Sequence, residues 1–398
     1  MLGEWGLELH GTGMAIKEIL DNKADWLKSG GPVSPYVVSS RVRFARNIRG
    51  AAFPGWAGKQ GRVETLKRIL PAVSGLPEMH DAHVLPCAEL DPIEKQVLVE
   101  RHLVSREHSA KSAGSAAVIN RRQTLSVMIN EEDHLRMQAL RSGLQLKSAY
   151  RALDKLDSEL EEKLDFAFSS DLGYLTACPS NVGTGMRASA MLHLPGLSLS
   201  EQITQVVQSV NRIGLAVRGL YGEGSESIGN LFQISNQTTL GESEEEIIER
   251  IHRVILQIVE HEKNARQVLM RRQMRMLMDH VGRAFGLLRY SWSIGTKEAC
   301  SLLSLTKLGA DLGFFPEDTA NLMDELFILI QPAHLQRLHG QKLDEGARDT
   351  ARADLLRQAF TAVPEPAVMS SEGTPRAGDT VSGSELPEIG PADGELPL

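Results

Sequence analysis

Apolar and polar positions alternate over residues 37–44, VVSSRVRF, so this stretch predicts a β-strand with Arg41 and Arg43 on one face. Residues 125–130, LSVMIN, predict another, with Leu125, Val127 and Ile129 sharing a face ahead of the acidic turn NEEDH. The period then changes. Ile203, Val206, Val207, Val210 and Ile213 recur at helical spacing, and Ser198 with Glu201 reads as a capping box, so a helix is expected from near Ser198 to Gly214. The stretches 215–221, LAVRGLY, and 230–236, NLFQISN, flank the glycine-rich segment GEGSESIG and predict an antiparallel hairpin. A second capping box, Ser243 with Glu246, opens a long helix carrying Ile247, Ile248, Ile251, Val254, Ile255, Ile258 and Val259 on one side.

Past about residue 264 the pattern turns helical, with Leu and Met at helical spacing up to about 361. The expected class is α+β: a mostly antiparallel sheet covered by helices, followed by an all-helical C-terminal domain. Four segments follow: an N-terminal extension with a short helix (1–36), an α+β domain (37–264), a helical domain (265–361) and a tail (362–398). The tail carries seven acids and one base, Arg376, among Pro, Gly and Ser, a composition that predicts disorder.

Composition narrows the class. The net charge of −8 lies mostly in that tail, so the body is near neutral and has no overall basic field for nucleic acid. No segment has the length and apolarity of a membrane span or a signal peptide. Cys87, Cys178 and Cys300 stand far apart, which suggests neither a disulfide framework nor a zinc site and fits a reducing cytosol. No motif for a dedicated protein metal site is present.

The candidate chemistry lies in scattered blocks. Arg41, Arg43, Arg136, Arg187 and Arg218 stand at the ends of expected strands, and guanidinium forks converging on one cleft match phosphate oxygens. Any one of them alone reads as a solvated arginine. Glu132, four residues before Arg136, and Glu223, five after Arg218, are carboxylates beside those grips. Alone, Glu131-Glu132-Asp133 is an exposed acidic turn, but a cationic guanidino acceptor would need carboxylates to orient it and take its proton. Cys178 is either a small buried residue or a thiolate orienting such a group.

CPSNVGTGMRAS, from Cys178, resembles the CPTNLGT signature of the phosphagen (guanidino) kinases, with Ser180 where that family usually has Thr. SSRVR, NEEDHLR and VRGLYGEGSE match the family's other blocks in the same order, over about residues 37–240. GYLTACPSNVGTGMRASAMLHLPGL, RGLYGEGSESIGNLFQISNQTTLG and the helical last third resemble its bacterial protein-arginine kinase branch.

The resemblance implies a guanidino-kinase catalytic domain that transfers the γ-phosphoryl group of ATP, with Mg2+ carried by the nucleotide, to arginines of proteins. Nucleotide contacts are expected from Ser39, Ser40, Arg41, Val42, Arg43, His102, Arg136, Arg187, Ala188, Ser189, Ala190, Met191, Arg218, Gly219, Leu220, Tyr221, Gly222 and Glu223. Glu132 and Glu223 would grip the acceptor guanidinium, one of them as base, with Cys178 against the same group. RDTARA (Arg348, Asp349, Thr350, Ala351, Arg352, Ala353) matches the branch's phosphoarginine-sensing element. On a helix Arg348 and Arg352 share a face, where an anion or Asp349 could relieve their repulsion. Partners implied are a ClpC-ClpP type protease, a heat-shock repressor, a zinc-binding activator and a second copy joined through the helical domain. The short start before Val37 leaves room for a protein acceptor, and residues 1–13 read as an over-extended start ahead of Met14. A kinase for a free guanidino compound and a phosphoarginine-binding adaptor are the alternatives.

Overall fold

A computed structural model describes residues 12–27, 30–219 and 227–367. Its strands are β1 (Val37–Arg46), β2 (His83–Pro86), β3 (Ala116–Ile119), β4 (Leu125–Ile129), β5 (Leu135–Ser142), the short pair β6 (Phe168–Ser169) and β7 (Gly173–Tyr174), β8 (Met186–His193), β9 (Leu215–Gly219) and β10 (Leu231–Asn236). Eight of them form one sheet in the order β2-β3-β4-β5-β1-β8-β10-β9, antiparallel throughout. β1 lies near its middle, between β5 and β8.

Register divides the residues of the central strands between two faces. Val42 and Phe44 of β1 lie beside Ala139 and Met137 of β5 and Ala188 and Met186 of β8. All six are buried in one apolar core, covered by the helices Lys59–Ser74, Leu146–Glu161 and Glu244–Arg272. On the second helix Leu146, Ala149, Leu153, Leu156 and Leu160 recur every three or four residues and are all buried. The opposite face carries Arg41, Arg43, Arg187, Gln233 and Arg218, with Arg43 directly opposite Arg187 and Gln233 opposite Arg218.

The expected strands and the hairpin of β9 with β10 are present, and the Ser243–Glu246 capping box opens Glu244–Arg272 with both reciprocal bonds formed. The helix expected to begin at Ser198 does not. A short helix, Pro195–Leu199, comes first; Glu201 follows with φ 58°, and the main helix runs over Ile203–Arg212 without a side-chain cap. Proline starts the first turn early. Its N–H groups at Gly196 and Leu197 donate to Glu262, each at 2.8 Å, and Ser198 Oγ donates back to Leu194 O.

Helices Met274–Tyr290, Thr296–Asp311, Asp318–Leu329 and Glu345–Phe360 surround a second apolar core, which Val363 joins, and Pro332–Leu338 lies between the last two in sequence. Residues 368–398, most of the tail expected to be disordered, lie outside the described residues. A third cluster gathers Ile16 and Ile19 of the helix Thr12–Asp21 with Trp26, Leu98, Leu140 and Ile328.

Arg266 joins the sheet's helices to the last third. It is 3% exposed, pairs with Glu262 at 2.7 Å and Asp311 at 3.0 Å, donates to Pro35 O, and lies over the Tyr36 ring. Removing one partner from a buried ionic group leaves the others uncompensated. Arg266→Ala is expected to destabilise the protein by about 3–5 kcal/mol, read from the denaturant midpoint, with Arg266→Lys recovering part. An unshifted midpoint would contradict this role.

Candidate active site

Each β1 arginine stands on a strand whose alternate residues are anchored in the core, so backbone register aims Arg41 and Arg43 away from it. They line a cleft of about 1090 Å3 together with Arg136, Arg187, Arg218, Glu131, Glu132 and His102. The cleft lining holds eight Lys or Arg side chains against four Glu, so its field favours an anion. The blocks expected to converge from residues 41 to 218 therefore do meet. Ser39, Ser189 and Met191 face this side and line a small adjoining pocket with Arg41, His102 and Gln233.

Four expected contacts do not present side chains here. Val42, Ala188 and Ala190 are in the core. Ser40 Oγ donates to Gly143 O and accepts from Gln145 N–H. Strand alternation sends them to the other face, so only their backbone remains available. Gly219 ends β9, and Leu220, Tyr221, Gly222 and Glu223 lie outside the described residues.

The arginines perturb one another. Burial, then Arg136 and Arg187, lower the Arg41 pKa to about 10. Burial and the neighbouring arginines likewise hold Arg43 well below its ordinary value, with Glu131 opposing. His102 is pushed down to about 3 by burial and Arg41, which leaves it neutral at working pH.

The acidic turn links β4 to β5 and brings two of its carboxylates toward Arg136. Glu131, fully buried, pairs with Arg136 at 2.7 Å and accepts from Ser105 Oγ; Glu132 stands 3.9 Å from Arg136. Burial alone would raise the Glu131 pKa, but Arg136 and Ser105 hold it below the ordinary value. Glu132, 45% exposed at its side chain, is raised by partial burial and by Asp133, with Arg136 opposing. It is thus a stronger base than a free carboxylate. Asp133 does not face an acceptor: one oxygen accepts from Asn47 Nδ2 and from Ala177 N–H, each at 2.7 Å. It thereby ties the segment leading into Cys178 to the turn bearing Glu132. No local pattern marks the burial of Glu131 and Asp133: Arg136 lies five residues from Glu131, but the ties to Ser105 and Ala177 span 26 and 44 residues.

Cys178 is half-buried next to Ala177, which lines the cleft, and its Sγ lies 3.0 Å from Ser180 Oγ. It opposes the lowering of the Arg187 pKa by burial, Arg218 and Arg136, so thiol and guanidinium are within electrostatic reach. The turn is closed at Gly183, where φ is 110° and a Cβ would meet Thr239 O at 2.2 Å. Only glycine fits there.

The helical third forms one wall of the cleft through Thr296, Lys297, Cys300, Gln331 and Pro332. It is held by Glu100, whose carboxylate accepts from Ala333 N–H at 2.9 Å, from His334 N–H at 3.1 Å, and pairs with His334 Nδ1 at 2.8 Å. The RDTARA residues lie on Glu345–Phe360. Of the two ways expected to relieve the repulsion of Arg348 and Arg352, the pairing of Arg352 with Asp349 is present. Arg352 is 1% exposed, donates to Ile330 O and Ile294 O, and pairs with Asp349 at 2.6 Å. Arg348 Nη1 donates to Leu343 O. Thr350 Oγ1 bonds Gly346 O, and Ala351 and Ala353 are buried. Among the described residues no group of three or more His, Cys, Asp or Glu is placed to hold a metal, and no helix is long and apolar enough to cross a membrane.

Residues 64–265 match the family model for the ATP:guanido phosphotransferase C-terminal catalytic domain, and residues 274–371 that for the protein-arginine kinase McsB C-terminal domain. The protein-arginine kinase of Halothermothrix orenii is 45% identical over 345 residues, which cover 86% of this chain and 99% of that protein. That of Brevibacillus brevis is 41% identical, covering 88% and 99%. Among solved structures, the duplicated taurocyamine kinase of Schistosoma mansoni with transition state analog components aligns at TM-score 0.54 and 29% identity, over 62% of this chain and 35% of that one. A lombricine kinase aligns at TM-score 0.51 and 26% identity, over 60% and 68%. Fold and cleft define an ATP-dependent phosphotransferase with a guanidino acceptor. Within that class, the chain belongs to the protein-arginine kinase family.

Glu131 is the buried counterion of the arginine cluster, through Arg136. Glu131→Gln is expected to destabilise the free protein by about 1–3 kcal/mol and to enlarge the rise in melting temperature on adding ATP, since bound phosphates supply the missing charge. Unchanged melting with and without ATP would deny Glu131 that role.

Proposed function

We propose that this protein transfers the γ-phosphoryl group of Mg·ATP to arginine side chains of proteins. The observation that carries the reading is the meeting of Arg41, Arg43, Arg136, Arg187 and Arg218 with Glu132 in one cleft. The arginines hold the triphosphate and neutralise charge on the transferred group, so catalysis is mainly positioning and electrostatics. Magnesium would arrive with the nucleotide and neutralise part of its charge beside these arginines. Neutral His102, with Ser39, Ser189 and Met191 of the adjoining pocket, completes the nucleotide side.

On the acceptor side Glu132 orients the guanidinium and takes its proton, with Glu223 as the second carboxylate and Cys178 against the same group. The new N–P bond forms as the bond from the γ-phosphorus to the bridging oxygen breaks. ADP leaves, and the guanidinium proton passes to the carboxylate. In the cytoplasm, a Clp-type protease that takes the marked proteins, a repressor among the substrates, a zinc-binding activator and a homodimer through the helical third are consistent with this reading.

The sign of the pH dependence follows from Glu132. Its pKa is raised, so kcat/KM rises with pH through a value above the ordinary 4.5 as the base becomes ionised. Glu132→Gln is expected to remove that acid limb and to lower kcat about 10²–10⁴-fold, measured as phosphoarginine formed on a basic protein under non-acidic conditions. Undiminished labelling would remove Glu132 from the mechanism, and transfer to free arginine alone would replace the protein acceptor.

Phosphoarginine sensing, if RDTARA performs it, falls to half-buried Arg348 with Asp349, since Arg352 is committed to the fold. Arg348→Ala is expected to weaken activation by added phosphoarginine while leaving basal ATP turnover; an equal fall in both would count against regulation.

A further inference from the structure

Trp56 is 89% exposed, more than any other large apolar side chain among the described residues, and it lines the cleft. Its loop, residues 49–58, is firmly built. The N–H groups of Trp56 and Ala57 both donate to Phe53 O at 2.8 Å, and Arg62 Nη1 donates to Ala57 O at 2.7 Å. The His134 ring fastens the loop to the acidic turn: Nδ1 accepts from Ile48 N–H at 3.1 Å, so Nε2 carries the proton and donates to Ala52 O at 3.0 Å. Asn47, just before the loop, accepts from His134 N–H and donates to Asp133, which also holds Ala177. The indole is therefore carried on the same assembly as Glu132 and the entry to Cys178, at the acceptor end of the cleft.

An indole contributes nothing to gripping a triphosphate, and a free amino acid sunk toward Glu132 would not need a rim. A polypeptide does, because its chain must leave the cleft across that edge. An aromatic face suits the aliphatic stem and cationic head of arginine, and Glu107 and Glu132 of the same cleft match basic neighbours. We infer that Trp56 is a specificity residue for the polypeptide acceptor, packing against the stem of the target arginine and the chain beside it. The inference rests on the protein-arginine kinase reading.

The test is steady-state kinetics of the full-length protein with a folded basic protein as acceptor, for the unsubstituted enzyme, W56A and W56F. W56A should raise KM for the protein about tenfold with kcat and the KM for ATP preserved, and W56F should restore most of the affinity. An unchanged protein KM overturns the inference. So does a raised KM for ATP, which would place the indole against the adenine, or a fall in kcat accompanied by a lowered melting temperature, which would make Trp56 a loop support. If the unsubstituted enzyme phosphorylates no protein, the underlying reading fails instead, and this inference with it.

Discussion

Five guanidinium groups held on one side of a β-sheet repel one another, and the fold must hold them there before any phosphate arrives. Arg43 lies directly across from Arg187, a like-charge cross-strand pair that costs some tenths of a kcal/mol to about 1 kcal/mol. The other face of the same strands supplies the stabilisation. Val42 and Phe44 are fully buried, and burial of such side chains contributes about 1.5–3 kcal/mol each. The apolar face therefore outweighs the repulsion, which adds to the larger effect of burial in lowering the Arg41 and Arg43 pKa values. A bound anion relieves that repulsion, which favours binding of a triphosphate.

The same constraint explains why the helical third is anchored by ionic groups at its border with the sheet. Arg266 and Glu100 each satisfy several backbone or charged partners while buried, which makes their junctions specific in geometry. Glu100 precedes Arg101, which donates to Ile19 O, Leu20 O and Asn22 O, and then His102, whose φ is 57° and whose carbonyl accepts from Gln138. One short stretch thus ties the helical third, the N-terminal helix and the cleft wall.

How much of this was legible in the chain depended on the range of the interaction. Alternation in VVSSRVRF gave the strand and the arginine face, because a two-residue period is local and one face is buried. The Ser243–Glu246 box gave a helix start because both partners lie within four residues. The Ser198 start failed because the short helix before it is capped by Glu262, distant in sequence. The burial of Glu131 and Asp133 was hidden for the same reason, since Ser105 and Ala177 are far from them in sequence. The RDTARA pair was correctly placed on a helix, yet only packing could show that Arg352 points inward.

The two ends of the cleft are built on different terms, and that difference bears on acceptor choice. The phosphate end depends on strand register, which a one-residue slip would invert, so it tolerates little variation. The acceptor end depends on turns: the acidic turn, the Cys178 turn and the Trp56 loop, bound to one another through Asp133, His134 and Asn47. Loops can change length and side chains without disturbing the sheet. A fold of this kind can keep one way of holding ATP while the guanidino compound, or the chain that bears it, is selected by what the turns place at the rim. An indole fixed on that rim belongs to the variable half of the site, and its chemistry suits a substrate larger than the guanidinium it delivers.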